Sequence, residues 1–254
     1  MMYLISYIEF TEDSMSTRNG GAADNDHRKT ITIDARIRST PIVLAPDIAC
    51  ALIGDASYVA LASRCQCREE RKCASYPAGF GCLYLGEGAR DIVAKGNARE
   101  IDRARALEHI GRAREMGLVH MILWTSAELR ALGTGANHAL ELCSCCPCCC
   151  ISRRTGDGMK AYVDGITGLG IARVEDECSA CGDCEAVCPF KAITVTDDGP
   201  EINADRCKGC GRCVTACGQS ALKVYPLEIV SLYEDGWHMV PSMQYLAEIL
   251  KTVR

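Results

Sequence analysis

Aromatic side chains are scarce, with three Phe, two Trp and nine Tyr in 254 residues, so any core must be built from aliphatic and small residues. Long apolar runs are missing as well. The first ten residues, Met1 to Phe10, have no basic flank and an apolar stretch too short to cross a bilayer. No other segment reaches membrane length, and the chain is expected to be cytoplasmic, without a membrane span. Positive charge is not in excess: the formal net charge is −5. That argues against nucleic acid as a partner, because gripping a phosphate backbone requires a basic footprint. There is no G-x-G-x-x-G after a strand, no G-x-x-x-x-G-K and no nucleophile–base motif. The run Gly165 to Gly170 is glycine-rich but lacks the dinucleotide spacing. These absences set aside nicotinamide enzymes, phosphate-loop NTPases and triad hydrolases.

Cysteine is what the chain has in quantity: nineteen residues. The odd number and the lack of a secretory leader argue against a complete disulfide framework and for reduced thiols that bind metal. Eight of them form two matching runs, Cys178, Cys181, Cys184, Cys188 and Cys207, Cys210, Cys213, Cys217, offset by 29 residues. Three thiolates at i, i+3 and i+6 wrap one iron–sulfur cube, and the fourth Cys of such a run reaches the other cube. The expected ligand sets are Cys178, Cys181, Cys184 and Cys217 for one [4Fe–4S] cluster, and Cys207, Cys210, Cys213 and Cys188 for the second. Structural zinc would show paired C-x2-C knuckles separated by a longer spacer. Between the runs, Ala192 to Val195, a turn at Asp197-Asp198-Gly199-Pro200 and Glu201 to Asn203 predict a β-hairpin. The segment from 174 to 217 holds nine acidic and four basic side chains, so its balance equals that of the whole chain. An acidic face of this kind steers a basic redox partner.

These residues resemble the bacterial two-cluster ferredoxins over about Val174 to Tyr225. One position departs from the pattern: Gly218 rather than Pro follows Cys217, which removes no ligand.

Ten of the remaining eleven cysteines fall in two groups. Cys65, Cys67, Cys73 and Cys82 lie within 18 residues, after the candidate strand Tyr58 to Ala62. Cys65 and Cys67, two apart on extended chain, are expected to face the same way and serve one metal centre. Cys143, Cys145, Cys146, Cys148, Cys149 and Cys150 crowd eight positions, too densely for core packing and with neighbours too close for relaxed disulfides. Both groups are expected to converge on one or more further iron–sulfur centres, with zinc as the alternative. Cys50 reads as a small core residue, and His120 as a packed, hydrogen-bonded residue rather than a ligand. The C-x-C-R motif (Cys65 to Arg68), Cys73, Cys82, Gly117-Leu118-Val119-His120 and the run Cys143 to Cys150 resemble a module that precedes ferredoxin pairs in poorly characterised iron–sulfur proteins of anaerobes. The resemblance implies cluster chemistry without naming a substrate. Relatives often carry a winged helix ahead of the module; the short arm here leaves no room for one, which argues against a DNA-linked role.

The remaining elements are read from periodicity. Ile31 to Asp34 and Pro41 to Pro46 are extended, Ile48 to Ile53 is helical, Arg99 to Glu115 is the clearest helix, and Leu118 to Leu123 is a strand. Ala161 to Gly170 forms a short helix and a loop, Pro226 to Pro241 is irregular, and Ser242 to Val253 is an amphipathic helix. The expected fold class is α+β: a small α/β cysteine-rich N-terminal domain, then a ferredoxin-like, pseudo-two-fold dicluster domain. The expected divisions are an arm at 1–30, the cysteine-rich domain at 31–152, a linker at 153–173, the dicluster domain at 174–225 and an extension at 226–254. The expected function is an iron–sulfur electron-transfer protein or subunit working with a redox partner or a larger oxidoreductase complex. The alternatives are a reductase with a catalytic N-terminal cluster fed by the ferredoxin, and a redox or metal sensor.

Overall fold

A computed structural model of the chain describes residues 31–33, 41–123, 129, 139–153, 166–175, 177–226, 228–233 and 236–241. The expected N-terminal arm and the C-terminal amphipathic helix lie outside them.

The N-terminal half is organised on one seven-stranded sheet. Its strands are β2 (Ile42–Leu44), β3 (Val59–Ala62), β4 (Leu83–Leu85), β5 (Ala98–Glu100), β6 (Val119–Ile122), β7 (Leu140–Cys145) and β8 (Thr167–Gly168). With β1 (Ile31–Ile33) numbered first, their order across the sheet is β5-β3-β4-β7-β6-β2-β8. All neighbours are antiparallel except β2 and β8. Alternation along each strand sends Val59, Leu83, Leu85, Leu140, Leu142, Ile122, Ile42 and Leu44 to one face. Helices α1 (Pro46–Asp55) and α4 (Arg103–Glu115) cover that face through Leu52, Ile53, Ala106 and Ile110. Each Leu or Ile so buried contributes about 1.5–3 kcal/mol. The opposite face of the central strands carries Val43, Val119, Met121, Cys143 and Cys145.

Two short helices complete this half, α2 (Gln66–Glu70) and α3 (Ala89–Ala94). Helix α2 changes the expectation for Cys65 and Cys67. Cys65 is extended at the helix N-cap, whereas Cys67 lies inside the first turn; the two share a site because a helix begins between them, not because a strand continues. The helix expected from Arg99 also starts later. Ala98–Glu100 pairs with β3 at the sheet edge, and Asp102 then caps α4 by accepting from the Arg105 backbone N–H at 2.7 Å.

The described part of the C-terminal half follows the sequence repeat. Strand β9 (Gly170–Val174), helix α5 (Asp183–Ala186) and β10 (Ile193–Thr196) recur 29 residues later as β11 (Gly199–Ile202), helix α6 (Arg212–Ala216) and β12 (Leu222–Pro226). Left-handed backbone recurs at the same interval: Ala180 and Gly209, Gly182 and Gly211, Lys191 and Ser220 all have positive φ. Strand β9 pairs with β12, and β10 with β11 in the expected hairpin. Residues 167–170, expected in a loop, instead give the sheet its last strand and open β9. The segment after β12, expected to be irregular, forms β13 (Glu228–Tyr233) and β14 (Gly236–Pro241), an antiparallel pair whose first strand also takes β1 in parallel.

At two glycines the halves meet backbone to backbone. A Cβ on Gly168 would stand 2.1 Å from the Lys208 carbonyl oxygen, and one on Gly209 would stand 2.5 Å from the Gly170 carbonyl. Only residues without side chains allow this approach, which accounts for the glycine-rich run that fits no nucleotide motif.

His120, on the helix-covered face, is 1% exposed. Its Nδ1 lies 3.2 Å from Ser144 Oγ, and its Nε2 finds no partner among the described residues. Burial first, then the charges of His109 and Arg114, hold its pKa down to about 4. His109, stacked on Phe80 with ring centroids 3.8 Å apart, is also held low, chiefly by burial. Because these folded pKa values lie below the unfolded value, the unfolded chain binds the protons first. The corresponding stability is complete above about pH 6.5 and is lost as pH falls from there towards 4. At ~1.4 kcal/mol per pKa unit, His120 accounts for about 3 kcal/mol over that window. Unfolding of wild type and His120→Gln at pH 5 and pH 7 checks this. The variant is expected to lose less stability on acidification, and equal losses in both proteins would remove His120 as the cause.

Candidate metal centres

Strand β7 is the hinge of the N-terminal cysteines. Its period of two turns Glu141, Cys143 and Cys145 to the face away from α1 and α4. Its pairing with β4, Leu83 opposite Leu142, sets Cys143 beside Cys82 just before β4, with the sulfurs 3.1 Å apart. The loop carrying Cys82 is fixed by α4: His109 Nε2 lies 2.9 Å from the Gly81 carbonyl oxygen. On the other side of Cys82 stands Cys65, which also reaches Cys67. Cys67 in turn reaches Cys150, and Cys150 reaches Cys145, which returns to Cys143. Six thiols thus form a closed ring, Cys65–Cys67–Cys150–Cys145–Cys143–Cys82. The ring lines a cavity of about 230 Å³ together with Glu141, Arg68 and Leu123.

The remaining four thiols of the two N-terminal groups gather separately. The sulfurs of Cys73, Cys146, Cys148 and Cys149 all lie within 4.8 Å of one another. The sequence grouping by position therefore differs from the grouping in space, where each set draws on both runs.

Two residues outside the expected ligands shape the ring. Arg68, fully buried, donates from Nη1 to the Phe80 carbonyl at 2.9 Å and the Pro77 carbonyl at 3.4 Å, and from Nη2 to the Ser144 carbonyl. Burial alone would loosen its proton; the sulfurs of Cys146, Cys65 and Cys82 outweigh that and hold its pKa up. The guanidinium accordingly sits between the ring and the four-thiol set. Glu141 lies within ligating distance of Cys82 and Cys143, and burial pushes its pKa up to about 7. Nothing in the sequence marks Glu141 except its alternation with Cys143. Inside the ring the protons are unevenly shared: hydrogen bonds from Cys67 and Cys82 hold Cys65 low, while those to Cys150 and Cys65 push Cys67 up.

In the C-terminal half, Cys188, Cys207, Cys210 and Cys213 line one small cavity with Ala172, Phe190 and Ile193. Backbone N–H groups point at the sulfurs: Ala172 N to Cys207 Sγ at 3.4 Å, and Ala192 N to Cys188 Sγ at 3.3 Å. Such bonds favour thiolates and tune a cluster. Burial pushes Cys210 up to about 11 and Cys213 to about 12, so ligation there must release protons. Around the other set, Ala180 N points at Cys178 Sγ at 3.4 Å, Cys178 and Cys181 lie near Cys184, and Cys181 is exposed. The donor types and the N–H groups aimed at them fit iron–sulfur clusters. Phe190 and Cys210 pack against the cluster of Val43, Val119, Met121, Leu123, Cys143, Cys145 and Cys150, so one ferredoxin-type set borders the sheet face that carries part of the ring.

No helix among the described residues is long and apolar enough to cross a membrane. No curated protein matches the chain. Residues 170–218, which hold the eight cysteines of the two runs, match the family model described as a 4Fe-4S dicluster domain.

Proposed function

We propose that this chain is an iron–sulfur electron-transfer protein or subunit with three stations in line. Cys178, Cys181, Cys184 and Cys217 hold an outer [4Fe–4S] cluster, and Cys188, Cys207, Cys210 and Cys213 hold an inner one. The six-thiol ring holds a third centre. The observation that carries the reading is the packing of Cys210 and Phe190 against the side-chain cluster of Val43, Val119, Met121, Leu123, Cys143, Cys145 and Cys150, the sheet face that also carries half of the ring. When bound, each cluster supplies one-electron storage at low potential. The protein's part is to hold the sets at fixed spacing, exclude water from the inner one and leave the outer one open to a partner. Exposed Cys181 supports an outer port, and the acidic side chains Asp183, Glu185, Asp197 and Asp198 of the same domain suit a basic donor or acceptor protein. The repeat of elements and of left-handed positions at 29 residues supports a pseudo-two-fold dicluster domain. A second reading, a reductase whose ring centre acts on a small molecule, is favoured by one feature, the Glu141 carboxyl beside Cys82 and Cys143 in the 230 Å³ cavity.

Anaerobic purification of the full chain, with iron and sulfide analysis and stepwise reductive titration, tests the relay. More iron and sulfide than two cubes require, and three reducible centres, are expected. Iron for two cubes alone removes the third station, and the absence of sulfide removes the reading altogether.

A further inference from the structure

Cys73, Cys146, Cys148 and Cys149 form a second set, of which Cys146 alone also lines the ring's cavity, and their spacing differs in kind from what a cluster needs. Each sulfur lies within 4.8 Å of the other three, and Cys73 and Cys148 are 3.7 Å apart. Four thiolates at the zinc–sulfur distance of ~2.3 Å form a tetrahedron with edges of about 3.8 Å. A cube spreads its thiolates further, because each sits on its own iron corner. The geometry points to a single tetrahedral zinc ion held by Cys73, Cys146, Cys148 and Cys149, separate from the ring's iron–sulfur centre. This goes beyond the proposed relay, which does not require it.

Three observations support the assignment. The donor set is wholly sulfur, and tetrahedral S4 selects zinc or iron–sulfur chemistry; the tight spacing decides for one ion. Secondly, one zinc with four thiolates carries net negative charge, and a cation stands ready for it. Arg68 is fully buried beside Cys146, and its Nε finds no hydrogen-bond partner among the described residues. Thirdly, the ion has structural work to do. Cys73 follows α2, the helix that brings Cys67 and Arg68 to the ring, and its backbone N–H donates to the Arg68 carbonyl at 2.9 Å. The other three ligands lie in the turn after β7. An ion here ties α2 to the end of β7 across 75 residues of sequence, fixing both walls of the ring without taking part in electron transfer.

The test uses full-length protein purified without oxygen, as wild type, Cys148→Ser and Cys50→Ser. Cys148 is exposed, so its replacement disturbs little packing, and Cys50 belongs to neither set. Wild type and Cys50→Ser are expected to contain one equivalent of zinc besides iron and sulfide. Cys148→Ser is expected to lose that zinc and keep its iron and sulfide. Loss of iron with sulfide from Cys148→Ser, loss of iron alone, or no loss of metal each overturns the site. Should the variant fail to fold, zinc X-ray absorption of the wild type decides: four sulfur neighbours at ~2.3 Å support the site, and oxygen or nitrogen neighbours overturn it. Iron and sulfide report on the relay and zinc on this site, so either can fail alone.

Discussion

Arg68→Met is expected to destabilise the N-terminal half by on the order of 5 kcal/mol and to empty its metal centres while the dicluster iron remains. The guanidinium satisfies the carbonyls of Pro77, Phe80 and Ser144 from a position with no solvent access. Each buried acceptor left bare costs about 1–3 kcal/mol. Methionine matches the bulk and supplies no donor, and it withdraws the positive charge that faces Cys65, Cys82 and Cys146. Arg68→Lys is not expected to rescue the protein. A single ammonium lacks the planar fork that spans the 77–80 loop and β7 at once. Denaturant unfolding of the anaerobic protein, read beside iron, sulfide and zinc content, checks both variants. Full recovery of stability and N-terminal metal in the lysine variant would show that charge alone suffices and the fork does not matter.

Cys188→Ser is expected to remove the iron and sulfide of one cube and to slow reduction of the ring centre by orders of magnitude. Cys188 stands in one cavity with Cys207, Cys210 and Cys213 although it closes the first run in sequence. Losing it should therefore disable the second run's set and spare Cys178, Cys181 and Cys184. Electrons delivered at the exposed outer set would then face a single long jump to the ring, and tunnelling rates fall exponentially with distance. Rapid-mixing reduction by a protein donor, followed at the ring's own absorption or magnetic signal, measures the effect. An unchanged rate with the inner cube missing would mean that electrons reach the ring by another route.

The dicluster half was legible because its chemistry is local. Three cysteines at a spacing of three define a loop, and the 29-residue offset announces a second copy. The hairpin between them follows from the Asp197-Asp198-Gly199-Pro200 turn. In the N-terminal half the ligand candidates were legible but their partition was not. That partition depends on the register that sets Leu83 opposite Leu142 and on the turn after β7 that swings Cys146 away from Cys145. Arg68 was visible only as the last letter of a motif, since burial of an arginine is a tertiary fact. Glu141 was hidden for the same reason. The late start of α4 had a local signal in Asp102, a good cap placed before a helical run, which the apolar spacing from Ile101 outweighed.

The glycine joint between the halves bears on how such a protein can be assembled or altered. At 168 and 209 main chain lies directly on main chain, leaving no layer of side chains that could adjust to a different neighbour. The dicluster unit is therefore not an exchangeable cartridge. A ferredoxin from another source, spliced in at residue 170, would need glycine at the position of Gly209 and the same loop height at Lys208. Otherwise it would sit displaced by at least the thickness of a methyl group. Engineering that aims to reset the potential of this protein should work inside the existing dicluster unit, one N–H···S contact at a time, rather than replace it whole.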